Sequence, residues 1–158
     1  MTEAPLIHRE FSLERQIVAP PDRAYHAWTD PAARQHWFVG PHNWQPVERR
    51  LDLTVGGEEF LHGRFENGIE TIYTARYHVV VPDVCLVYVY DMHVAGQHLS
   101  VSLASIRFAA ADGGTRMQYT EQAVYLGGND GSDARRQGIA AHLDRYIGCI
   151  DTFRAIRD

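Results

Sequence analysis

Phe11-Ser12-Leu13-Glu14-Arg15-Gln16-Ile17 runs through Ala19-Pro20-Pro21 into Tyr25-His26-Ala27-Trp28-Thr29-Asp30-Pro31, and this stretch decides the fold. Phe11, Leu13, Arg15 and Ile17 alternate with Ser12, Glu14 and Gln16 at close to period two, which predicts a half-buried first strand. The proline pair ends that strand. Proline fixes φ and suits a first helical turn, so Pro21 opens a short helix whose apolar face is Ala24, Tyr25 and Trp28. Asp30 then reads as an N-cap with Pro31 behind it, opening a second short helix to Trp37 that Gly40-Pro41 stops.

From Trp44 onward the pattern is strands and turns. Runs at about 44–53, 57–66, 69–81, 84–94, 97–109 and 115–125 are separated by Asn67-Gly68, Pro82-Asp83, Gly96 and Gly113-Gly114. Asn67-Gly68 between apolar runs is a strong hairpin signal, because both residues tolerate positive φ. With the first strand this makes roughly seven, and the short connections favour antiparallel neighbours. After Gly127-Gly128-Asn129-Asp130-Gly131, the residues Ile139, Leu143, Tyr146, Ile150 and Phe153 step by four, three, four and three. That is one buried stripe on a helix, capped by Ser132 or Asp130. An antiparallel sheet must cover one face, and this helix is the only long amphipathic element able to do so. The expected class is α+β, a curved sheet of six to seven strands with the long helix across it and space where the two diverge.

Composition narrows the function classes. At 158 residues the chain suits one domain with one core, and 45% hydrophobic and 22% charged content is ordinary for a globular protein. Fifteen Lys and Arg against 20 Asp and Glu give a formal charge of −5, no reason to favour nucleic acid. The longest apolar run, Val84 to Tyr90, is far short of the ~20 residues that cross a bilayer, and Met1 to His8 lacks the apolar region of a signal peptide. The expected address is cytoplasmic, without membrane insertion. Cys85 and Cys149 stand apart, so they read as two reduced structural thiols, with a disulfide as the alternative.

Val18-Ala19-Pro20, the run Tyr25, Trp28, Thr29, Asp30, Pro31 with Trp37, then Asp52 with Gly56-Gly57, the strand after Pro82-Asp83, and Gly113-Gly114-Thr115 resemble the START-like SRPBCC superfamily. Within it the chain looks most like the activator-of-heat-shock-protein-90-ATPase-homologue-like family (Aha-type C-terminal domain). The resemblance covers about residues 11–156 of a single START-like domain spanning 1–158. It implies a helix-grip fold with a hydrophobic cavity between sheet and terminal helix. Relatives in the superfamily bind lipids, sterols or hormones, some cyclise or dehydrate polyketides, and eukaryotic namesakes stimulate a chaperone. One departure is Gly138-Ile139, where many bacterial members carry Gly-Trp.

Alternation sorts the strand residues into faces without saying which face is inward. One face holds Phe60, His62 and Arg64, then Tyr73, Ala75 and Tyr77, then Leu86, Tyr88, Tyr90 and Met92. Ser100, Ser102, Ala104, Ile106 and Phe108 share a face of the next strand, and Met117, Tyr119 and Glu121 of the last. The candidate ligand cavity is therefore Trp28, Trp37, Phe60, Arg64, Tyr73, Tyr88, Tyr90, Tyr119, Glu121, Leu143 and Tyr146. Against it stands an ordinary core with tyrosine hydroxyls at its rim.

Arg64 and Glu121 are the charges of interest, since a charge on an inward face costs several kcal/mol unless paired or met by a ligand. A cavity Arg binds a carboxylate or enolate; a cavity Glu takes a proton. The alternatives are solvated strand-end charges or a structural ion pair. Glu121 and His62 are the weak catalytic candidates for a cyclase, dehydratase or isomerase. The nine histidines form no metal-binding helix motif, and His93 and His98 flank a turn without a third ligand. No Gly-x-Ser-x-Gly elbow or P-loop occurs, and no cofactor or metal is expected. Trp28, Trp37, Phe38 and Trp44 read as core and lid rather than a stacking platform.

The expected function is binding of a small apolar or aromatic molecule, with the enzyme as first alternative and a chaperone-binding module, using the outer surface, as second. Leu99, Val101 and Leu103 on one outer face admit a homodimer.

Overall fold

The computed structural model describes residues 5–157, and the side chains of residues 5–150. Strand β1 (Ile7–Ile17) is followed by helices α1 (Pro21–Thr29) and α2 (Pro31–Trp37). Six strands come next: β2 (Trp44–Leu51), β3 (Glu58–Phe65), β4 (Glu70–Val81), β5 (Cys85–Val94), β6 (Gln97–Ala111) and β7 (Gly114–Tyr125). Helix α3 (Ser132–Arg157) ends the chain. The class is α+β, a helix-grip fold. Its seven strands form one antiparallel sheet in the order β1-β7-β6-β5-β4-β3-β2.

Local chemistry explains the element ends. Asp30 caps α2 by accepting from the Ala33 amide at 3.0 Å, with Pro31 in the first turn, and Pro21 does the same duty for α1. Ala95-Gly96 and Asp112-Gly113 each hold two consecutive positive φ values, 53° and 77° then 51° and 78°, the twist-matched form of a two-residue hairpin turn. Register shifts at Pro46/Glu48, Tyr77/Val79 and Met92/His93 mark bulges, which bend the strands that carry them. β1 starts earlier than its alternation suggests, because Ile7 to Phe11 pair with Tyr125 back to Glu121.

The core lies where α3 crosses the sheet. Leu143, Tyr146 and Ile150 of the expected stripe are buried against Leu86, Ile106, Met117 and Tyr119, and Phe153 lies outside the described side chains. α1 and α2 join this core. Trp28 stacks tilted on Trp37 at 4.4 Å and meets Tyr146 edge-on at 5.1 Å. The Tyr146 hydroxyl donates to the Ala24 carbonyl, pinning α3 to α1. Both cysteines are free. No helix among the described residues is long and apolar enough to cross a membrane.

Candidate ligand pocket

Toward one end of α3 the helix and the inner sheet face separate, leaving a pocket of about 550 Å³. Its floor is aromatic, from Tyr73, Tyr88, Tyr90 and Tyr119, and Trp44, Leu61 and Phe65 extend it toward β2 and β3. α3 contributes Ala134, Arg135, Gly138, Ile139 and His142, while Phe38 to Pro41, just after α2, form the opposing wall. That wall is hung from α3. Arg145 donates to the Val39 carbonyl at 2.7 Å and to the Trp37 carbonyl at 3.2 Å. Trp44 reaches the pocket because Gly63 lies beneath its indole: a Cβ there would stand 2.0 Å from the ring.

Two buried charge networks flank the floor. In the first, Arg34 (3% exposed) and Glu59 (1% exposed) make a two-pronged pair, Nε to Oε2 and Nη2 to Oε1, both at 2.8 Å. Arg34 also donates to the Trp28 carbonyl, Tyr77 donates to Glu59 Oε1, and the guanidinium stacks on Trp37 and Phe38 at 4.8 and 4.6 Å. Burial works against the Arg34 charge, but Glu59, Tyr77 and Tyr73 together outweigh it and raise the pKa above its usual value.

In the second, Tyr90 and Tyr119 donate to Glu121 Oε1 at 2.7 and 2.6 Å, and Ser102 and Arg135 donate to Oε2 at 3.0 and 2.8 Å. A carboxylate offers about four acceptor sites, so all of them are occupied. Arg135 further donates to the Ser100 hydroxyl and lies over the Tyr90 and Tyr125 rings. Burial pushes the Tyr90 and Tyr119 phenols well above their usual range, keeping them protonated donors.

His142 completes the upper wall. Its Nε2 faces the Val39 carbonyl at 3.0 Å, and because a carbonyl only accepts, that nitrogen carries the proton. Burial, then the neighbouring Arg145 charge, lower its pKa from 6.5 to about 4. A proton taken up by the unfolded chain but refused by the folded one destabilises the fold as pH falls from 6.5 toward 4. Stability is expected to drop by about 2 kcal/mol between pH 7 and pH 5 from this group. His142→Gln should remove that slope, read as the urea midpoint across the same window.

The sequence candidates divide. Tyr73, Tyr88, Tyr90 and Tyr119 line the pocket, whereas Glu121 is sealed behind Tyr90, Tyr119 and Arg135. Trp28, Trp37, Leu143 and Tyr146 are core beneath it rather than wall. Phe60 and Arg64 require a correction, for β3 turns Glu59, Leu61 and Gly63 inward. Arg64 is half exposed, pairing with Glu70 at 2.7 Å, and Arg50 sits over the Phe60 ring. His62 lies on that same outer side, 3.5 Å from Glu70. His93 and His98 stack at 4.3 Å, with His98 held by Asp91 at 2.8 Å. Leu103 is exposed, while Leu99 joins the pocket lining.

The sequence model described as Activator of Hsp90 ATPase homolog 1-like protein matches residues 18–147. The chain belongs to this family. An uncharacterised protein from Rhizobium leguminosarum is 33% identical over 96% of this chain and 99% of its own, with a TM-score of 0.90. The Mll3558 protein of Rhizobium loti is 31% identical over 92% and 99%, at 0.85. An AHSA1-like protein from Aeromonas hydrophila, 23% identical over 91% and 93%, shares the fold at 0.71. No curated protein matches the chain.

Within this Activator of Hsp90 ATPase homolog 1-like chain, Arg34, Glu59, Arg135 and His142 are the site's neighbours that pattern reading passed over. Signals existed for two of them. Ala33, Arg34 and Trp37 repeat the i, i+1, i+4 spacing of Ala24, Tyr25 and Trp28, placing Arg34 on the buried face. Arg135 continues the stripe of Ile139, Leu143 and Tyr146 by one step of four toward the N-terminus.

Proposed function

We propose that this protein binds a small apolar or aromatic molecule in the pocket between α3 and the sheet, as a single START-like domain working in the cytoplasm. The observation that carries this reading is the pocket itself, 550 Å³ with four tyrosine rings as its floor. Volumes of ~300–1,000 Å³ with apolar walls and a few fixed polar groups suit drug-sized ligands. Burial of apolar ligand surface would contribute about 25 cal/mol per Å² before the costs of association.

The cyclase or dehydratase alternative needs a base with a free lone pair facing substrate. Of the two candidates, His62 lies on the outer side of the sheet, and Glu121 spends its acceptor capacity on four protein donors at 0% exposure, which favours binding over catalysis. Its role in this reading is to position Tyr90, Tyr119 and Arg135. A co-chaperone role is suggested by the family description alone and would use the outer surface.

The test is native mass spectrometry of the protein purified from its own organism, where a retained small molecule is expected. N-phenyl-1-naphthylamine, a neutral dye that brightens in apolar sites, supplies the second arm. Gly138 lines the pocket and an added Cβ would meet nothing within 4 Å. Gly138→Trp is therefore expected to keep or slightly raise stability, since glycine costs a helix interior about 1 kcal/mol, while weakening dye binding at least tenfold. Equal dye binding by wild type and Gly138→Trp would sink the reading.

A further inference from the structure

We propose that the pocket selects an uncharged ligand and rejects organic anions, because the one formally charged residue among its described lining, Arg135, is already neutralised by the buried carboxylate of Glu121. This rests on the binding reading above and narrows it to a chemical class.

Among the described residues lining the pocket, Arg135 alone carries a formal charge. Taken by itself, it looks like an anchor for a ligand carboxylate. Its hydrogen bonds point the other way. Nη1 is directed to Tyr90, Ser102 and Glu121, and Nη2 to Ser100, all on the inner sheet face. The rings of Tyr90 and Tyr125 lie 5.3 and 5.5 Å from the guanidinium carbon. An incoming anion would have to compete with Glu121 at 2.8 Å and would bring a second negative charge beside it. Like charges in a site of low polarity disfavour one another strongly.

No other described lining residue carries a positive charge to balance such an anion. The tyrosines of the floor are held protonated by burial, and His142 donates to Val39 and stays neutral at physiological pH. The Thr71 hydroxyl, which accepts from the Trp44 indole at 2.9 Å, is neutral and brings no counter-charge. The second ion pair, Arg34 with Glu59, is internally balanced as well. Both signs of ligand charge therefore meet a wall with no net charge, and burying an unpaired charge there is costly.

The experiment uses N-phenyl-1-naphthylamine as reporter and two near-isosteric competitors, 2-naphthamide and 2-naphthoate, at pH 7.5. Only the signal lost in Gly138→Trp is counted. The amide is expected to displace the dye at a concentration at least tenfold below that of the carboxylate. In Glu121→Gln, with fold checked by circular dichroism, Arg135 loses its counter-charge and the preference should shrink at least tenfold or reverse. A wild-type protein that takes naphthoate as well as naphthamide overturns the inference while leaving the binding reading intact. Wild-type protein that never binds the dye overturns both. The wild-type comparison stands even where Glu121→Gln does not fold.

Discussion

Replacing Glu59 with leucine is expected to destabilise the protein by about 3–5 kcal/mol, the usual cost of stranding one partner of a buried ion pair. Arg34 would keep its charge at 3% exposure with the Trp28 carbonyl as its remaining acceptor, and the Tyr77 hydroxyl would lose its own. At this chain length the melting temperature should fall by on the order of 10 °C. The double variant Arg34→Met/Glu59→Leu should recover most of the loss, since a well-packed apolar pair of similar volume replaces the ions at little cost. Thermal and urea melts of the three variants decide it, and a single-variant loss under about 1 kcal/mol would show that water reaches the pair.

Trp37→Ala carries the second large effect, about 3–5 kcal/mol for an aromatic removed from a closed core. Trp37 is 1% exposed, packs on Trp28, Phe38 and Tyr146, lies under the Arg34 guanidinium, and donates from its indole to the Ala27 carbonyl at 3.1 Å. It also abuts the pocket wall, because Phe38 follows it directly and its carbonyl accepts from Arg145. The truncation should therefore loosen residues 38–41 and weaken N-phenyl-1-naphthylamine binding along with stability. Trp37→Phe, which keeps most of the ring, should lose less than half as much of either. A stability loss with dye affinity unchanged would show that the wall is held by Arg145 and His142 without help from the core.

The order of elements, both short-helix starts and the α3 stripe were legible because each rests on neighbours within a few residues: a capping aspartate, a proline, a period of 3.6 or two. The tyrosine floor was legible for the same reason, since Tyr73, Tyr88, Tyr90 and Tyr119 alternate with residues of the opposite face. β3 resists sequence reading because its inward row is Glu59, Leu61 and Gly63, a charge and a glycine around one leucine, while its outward row carries the aromatic Phe60. Summed hydropathy favours the inward row, since the outward one also carries His62 and Arg64, but the aromatic ring and the carboxylate point the other way. The arrival of Arg34 against Glu59, and of the Trp44 indole over Gly63, is what lets the inward row bury its charge and cover its glycine.

The same reasoning separates what the chain carries locally from what folding adds. The strands, their hairpins, the amphipathic α3 and the aromatic inner face follow from local propensity and periodicity, which act over a few residues. Which face β3 turns inward, and whether a charge is a ligand anchor or a spent one, depend on partners brought together by tertiary packing. Arg34 meets Glu59 across 25 positions, and Arg135 meets Ser100 and Glu121 across 35 and 14. A buried charge takes its chemistry from the group beside it, and those groups become neighbours only when α2 docks on β3 and α3 crosses β6 and β7.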